Sequence, residues 1–161
     1  MSDQVSARRQ LRREDIVVAA RRWIGTPYQH QASLKGVGCD CLGLLRGVWR
    51  DVLGEEPEEP GPYSPAWAEL SEGDPLLAAA ARHLVPVETQ DLLTGSARQI
   101  RPGMVLVFRW RANSAAKHCG IATGEGRFIH AHDGASVAEV AIVPGWRRRI
   151  VGLFDYPEVV D

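Results

Sequence analysis

The segment Gly38-Cys39-Asp40-Cys41-Leu42-Gly43-Leu44 constrains this chain more than any other stretch. Cys41 directly precedes an apolar run at helical spacing, Leu42, Leu44, Leu45, Val48 and Trp49, and Asp40 is a residue type favoured at helix N-caps. A thiol in the first turn of a helix feels the positive end of the backbone dipole, which favours thiolate. Gly43 keeps that first turn slim, so a second backbone can approach. Far downstream, His118 and His130 stand in strand-like text, His118-Cys119-Gly120-Ile121-Ala122-Thr123 and Arg127-Phe128-Ile129-His130-Ala131-His132. One imidazole could be a general base and the other its orienter. A thiolate-prone cysteine with two distant histidines has the sequence form of a cysteine-nucleophile site.

Plainer readings compete with this one. A free cysteine often serves as a small buried hydrophobe, but Cys41 sits at a helix start after a glycine-bearing loop rather than mid-helix. Cys39 is the rival nucleophile; it precedes the capping aspartate and lacks the dipole, so it reads as loop packing. A metal site from Cys39, Cys41 and His118 would need a C-x-C spacing that structural zinc sites do not normally use. Neither a metal nor an organic cofactor is therefore expected. Strand alternation turns Cys119 away from His118 and into the core, and puts His132 on the same face as His130. His132 then reads as an exposed strand-end residue, with a place behind the catalytic histidines or facing the substrate as the alternative. His30 and His83 read as loop and helix surface.

The 161 residues suit one domain with room for a core, and a hydrophobic content of 45% with 24% charged residues is that of a globular chain. A net charge of −1 gives no bulk reason to expect nucleic acid or an anionic membrane as partner. Basic clusters at Arg8 to Arg13 and at Arg147-Arg148-Arg149 read as solvated faces. No apolar stretch approaches the roughly 20 residues of a membrane span, and the first residues lack the apolar core of a secretory signal. Cytoplasmic synthesis without signal-dependent export is the expectation. Three cysteines, an odd count, argue against a disulfide framework.

Periodicity predicts a helix over Glu14–Ile24, stopped by Gly25-Thr26-Pro27, then a loop to Cys39, then the Cys41 helix to about Gly54. An acidic, proline-rich connector follows at Glu55–Pro65, with short helices expected at Ala66–Leu70 and Leu76–Leu84. Strands are expected at Val85–Glu88, Met104–Phe108, Cys119–Thr123, Arg127–His132, Val137–Val143 and Ile150–Phe154, the third and fourth forming a hairpin around Gly124-Glu125-Gly126. Helices first and a meandering antiparallel sheet afterwards make an α+β arrangement. Residues 1–13 read as a charged extension and 14–157 as the single domain.

Gly25-Thr26-Pro27-Tyr28, Gly38-Cys39-Asp40-Cys41-Leu42-Gly43-Leu44, Arg101-Pro102-Gly103-Met104-Val105, His118-Cys119-Gly120-Ile121 and Phe128-Ile129-His130-Ala131 occur in this order. Together they resemble the NlpC family of cell-wall cysteine peptidases, most closely its phage and gene-transfer-agent branch. The resemblance implies a papain-like fold, with the nucleophile helix packed on a C-terminal antiparallel sheet. It implies Cys41 as nucleophile, His118 as base and His130 as the residue that orients it. Tyr28 matches a family tyrosine that helps at the oxyanion or substrate site, where Asp40, Leu42 and His132 are further candidates. Leu42 stands where many members carry serine, as the phage-like branch tends to. The implied substrate is the peptidoglycan stem peptide, cut between D-glutamate and a diamino acid. The implied setting is a phage-like tail, with tail-hub proteins as partners; a non-catalytic or weakly active structural tail-hub module and a related amidase or acyltransferase are the alternatives.

Overall fold

The computed structural model of the chain describes residues 9–61, 73–89 and 100–161. In chain order these form β1 (Leu11–Arg12), α1 (Arg13–Arg21), β2 (Ser33–Leu34), β3 (Gly38–Cys39), α2 (Cys41–Leu53), α3 (Pro75–His83), β4 (Val85–Val87), β5 (Val105–Phe108), β6 (His118–Gly124), β7 (Arg127–His130), β8 (Ala138–Ala141), α4 (Pro144–Arg147), β9 (Ile150–Asp155) and β10 (Val159–Val160). Six strands make one sheet in the order β4-β9-β5-β6-β7-β8, and every neighbouring pair is antiparallel. The fold is α+β.

Both faces of the sheet are covered. Val105, Val107, Cys119, Ile121 and Ile129 pack with Ile16, Ala20, Leu44 and Val48 of α1 and α2. On the opposite face Met104, Leu106, Phe108, Ala122, Phe128 and Leu153 form a second cluster, against which Trp146 packs. A strand buried on two sides reads as a continuous apolar run rather than an alternating one, which is why Met104–Phe108 looks as it does.

Three local devices place α2. Asp40 caps it: Oδ1 accepts the Gly43 N–H at 2.7 Å, and Oδ2 accepts the Gln31 N–H at 2.8 Å. A cap of this kind stabilises a helix by about 1 kcal/mol, and here the same carboxylate also ties down the preceding loop. Gly43 and Gly47 leave no room for a Cβ, because the Ala32 carbonyl and the Trp23 indole occupy that space. Trp23 then donates its Nε1–H to Asp51 at 3.1 Å, and Tyr156 donates its hydroxyl to the Leu45 carbonyl at 2.9 Å.

Several boundaries differ from the sequence expectation. α1 ends at Arg21, not Ile24, because Arg22, Trp23 and Ile24 donate to carbonyls three residues back, from Ala19, Ala20 and Arg21. This tighter winding swings Ile24 off the core face, where it is 46% exposed. β7 stops at His130, because Asp133 and Gly134 begin a turn closed by the Ala135 N–H on the His132 carbonyl. Packing also takes in residues outside 14–157: Leu11 is buried, β1 pairs in parallel with β10, and Arg13 bonds both Asp155 and Asp161. The helix expected at Ala66–Leu70 lies outside the described residues.

Candidate active site

Cys41 is the first residue of α2, directly after its cap. It is partly exposed and packs against the core that joins helix to sheet. Its thiol is pushed well below the usual range by Cys119 and then His118, against the opposing effect of burial. Cys119 is pushed the other way, above the usual range, by Cys41 and by burial. The two sulfurs are thus shifted in opposite directions, Cys41 toward thiolate and Cys119 toward thiol.

His118 opens β6 and His130 closes β7. Both are buried, and His118 Nε2 lies 2.8 Å from His130 Nδ1. Gly120 makes this contact possible. It lies two residues beyond His118, and a Cβ there would stand 2.8 Å from the Ile129 carbonyl and 3.2 Å from His130 Cβ. Burial, then the neighbouring His118 and His132, push His130 down to about 3. His130 is therefore a neutral imidazole at any ordinary pH. One of its nitrogens can accept a hydrogen bond while the other keeps its N–H.

Aromatic rings wall in the histidine pair. Trp110 stacks on His118 at 5.5 Å and Trp146 at 5.6 Å, while Phe108 lies at 5.8 Å. His132 is exposed and lies just past the end of β7, yet its ring is 5.6 Å from that of His118 and 5.7 Å from that of His130. Tyr28 is partly buried, and its hydroxyl is pushed up to about 12 by burial and by the charge of Cys41. It stays a hydrogen-bond donor. Asp40 is buried beneath the helix start, where it caps rather than faces outward. Leu42 is half-buried and lines a cavity between α2 and α3. Cys39 is fully buried in β3 and pushed up to about 12 by burial and by the charges of Asp40 and Cys41.

His118, His130 and His132 group their rings together, Tyr28, Asp40 and His118 act electrostatically with Cys41, and Leu42 faces a separate cavity. His30 Nδ1 lies 3.9 Å from Asp40, and His83 bonds Glu58 at 2.7 Å. Among the described residues no group of three His, Cys, Asp or Glu side chains could hold a metal ion.

A family model described as NlpC/P60 matches residues 25–154, a span that holds every one of these groups. The chain belongs to the NlpC/P60 family. It is 27% identical over 139 residues to the gamma-DL-glutamyl hydrolase of Bacillus subtilis (strain 168), across 86% of this chain and 28% of that protein. It therefore spans little more than a quarter of that relative. Among solved structures, an NlpC/P60 family protein from Bacillus cereus ATCC 10987 superposes with a TM-score of 0.64 at 18% identity, covering 92% of this chain and 41% of the other. The NlpC/p60 domain of the peptidoglycan hydrolase SagA gives 0.57 at 23% identity, covering 90% of this chain and 99% of that domain. At these identities the structural likenesses establish the papain-like NlpC/P60 fold.

Sequence reasoning missed two parts of this NlpC/P60 site. The Trp110 and Trp146 walls carried no pattern, although Trp110 lies two residues after Phe108 and so falls on its face by simple alternation. The effect of Cys119 on Cys41 was missed as well. Alternation correctly sends Cys119 to the helix side of the sheet, and the nucleophile helix is what lies there.

Proposed function

We propose that this chain is a cysteine endopeptidase that cuts the peptidoglycan stem peptide at an amide between D-glutamate and a diamino acid. One observation carries the reading: His118 Nε2 lies 2.8 Å from Nδ1 of the neutral His130, on the strand against which the N-terminus of α2 packs, where Cys41 is the first helical residue and is lowered below the usual thiol range in part by His118. His118 takes the thiol proton, and its Nε2–H then donates to His130 Nδ1. The Cys41 thiolate attacks the carbonyl carbon, and the oxyanion forms beside the first-turn N–H groups of α2 and the Tyr28 hydroxyl. His118 returns its proton to the leaving amine, leaving an acyl-thioester on Cys41. Water, deprotonated by His118, releases the acid and restores the thiol. No metal or organic cofactor enters this sequence.

The bond assignment draws on the γ-glutamyl activity named for the Bacillus subtilis relative, and the substrate class on the peptidoglycan hydrolase named for the SagA domain. Delivery in a phage-like tail and contact with tail-hub proteins draw on the likeness of Asp40-Cys41-Leu42-Gly43 to the phage branch. Digestion of purified peptidoglycan followed by mass spectrometry tests the reading. New fragments should end in D-glutamate on one side and begin with the diamino acid on the other. Cleavage at a different amide would make it a related amidase; an unchanged digest would make it a non-catalytic module.

A further inference from the structure

Among the described residues, Trp110 is the one aromatic in the set of exposed large hydrophobic side chains, at 38% exposure. It belongs to neither core cluster, so burial does not explain its place. Its ring lies instead on His118, 5.5 Å away between centroids and 21° from parallel. Trp146 and Phe108 also lie on that imidazole, at 30° and 33°, but both serve the core cluster on the far face of the sheet as well. The segment that carries Trp110 is pinned. Arg109 N–H donates to the Arg149 carbonyl at 2.9 Å, and Lys117 N–H to the Phe108 carbonyl at 3.0 Å. Between them the Ser114 N–H and hydroxyl both donate to the Arg111 carbonyl, at 3.1 and 2.9 Å, and Arg109 Nη1 donates to the Ala112 carbonyl at 2.9 Å. The indole is thus held in place before any substrate arrives.

We propose that Trp110 is a positioning residue for the base: its indole face sets the plane of the His118 ring and favours the imidazolium that forms when His118 takes the Cys41 proton. Two observations require something of this kind. The bond from His118 Nε2 to His130 Nδ1 fixes where one edge of the imidazole points, but it leaves rotation about that bond open, and a stacked ring closes it. His130 is also neutral, so it offers the imidazolium a hydrogen bond and no full charge. An aromatic face carries negative charge density and attracts a cation set over it within about 6 Å. The neutral imidazole gains stacking alone, so the preference is for the protonated ring, the state that precedes attack by the thiolate. Correct orientation of a reacting group before the step lowers its barrier further. The inference rests on the hydrolase reading, because it concerns one step of that reaction.

The test compares steady-state hydrolysis by the native full chain, Trp110→Leu and Trp110→Phe, on the amide that the peptidoglycan digest shows to be cut, with thermal unfolding of each protein alongside. Leucine keeps apolar bulk and removes the aromatic face; phenylalanine keeps a face. Trp110→Leu should lose about 2–30-fold in kcat, the range of a cation–π contact from exposed to desolvated, with KM unchanged. Trp110→Phe should recover part of that loss, and both variants should unfold at the native temperature. Four results would each overturn the proposal and leave the hydrolase reading standing: native rates in Trp110→Leu, equal losses in the two variants, a change confined to KM, or a loss that tracks a lower unfolding temperature. A native chain that cuts no amide would end the hydrolase reading, and this proposal with it.

Discussion

His130 is the residue whose charge the fold has decided most firmly. In the unfolded chain an imidazole titrates near 6.5, and in the fold His130 is pushed down to about 3. Between those values the unfolded state binds the extra proton, so stability falls as pH drops through that window and is unaffected above it. The slope is at most about 1.4 kcal/mol per pH unit. His130→Asn should flatten that part of the stability-versus-pH curve, as measured by urea unfolding at several pH values; an unchanged slope would mean that another group sets it. Activity should rank the histidines differently. His118→Ala removes the proton carrier and should cost about 10²–10⁴-fold in kcat/KM. His130→Ala should cost less, and His130→Asn should recover part of the loss, since an amide oxygen can still accept from His118. His132→Ala, at an exposed position, should cost least, and a larger loss there than at His130 would show that the two roles had been exchanged.

At the scale of elements, the start of α2 carries the site, and its sequence announced it. Asp40, Cys41 and Gly43 were legible because a cap, a first-turn residue and a glycine each have a local physical signature. Asp40→Ala removes acceptors from two backbone N–H groups, Gly43 and Gln31, and should lower stability by about 1–2 kcal/mol in denaturant unfolding. Unchanged stability would mean that water replaces the cap at no cost. Gly120→Ala is a sharper case. Its new methyl meets Phe128 and His130, so it should impair activity by displacing the orienter while leaving α2 and Cys41 in place. Retained alkylation at Cys41 with reduced hydrolysis is the expected signature. What the sequence did not reveal at this scale is consistent in kind. β1, β2, β3 and β10 are two residues each, too short to display a period. Their pairing is imposed by loop closure and by ion pairs such as Arg13 with Asp155.

For the whole molecule, the order of elements fixed the architecture: amphipathic helices first, then apolar runs separated by glycine turns. The hairpin of β6 and β7 was readable from spacing, and it brings His118 to His130. The contacts that cross between layers were not readable. Trp110 and Trp146 stack on His118 through packing that no single segment encodes. A site built from a thiolate and an imidazole also makes a prediction about metals. Zinc should inhibit by occupying both groups, and a chelator should leave activity unchanged; loss of activity with chelator, restored by zinc, would reverse that conclusion. The most direct test of the central claim, that Cys41 is the nucleophile, follows iodoacetamide incorporation at each cysteine and stem-peptide hydrolysis in the same sample. The account predicts that Cys41 is alkylated first, that Cys39 and Cys119 stay unmodified, and that hydrolysis vanishes in proportion to Cys41 labelling. Hydrolysis that survives complete alkylation of Cys41, or labelling that reaches Cys39 or Cys119 first, would contradict it.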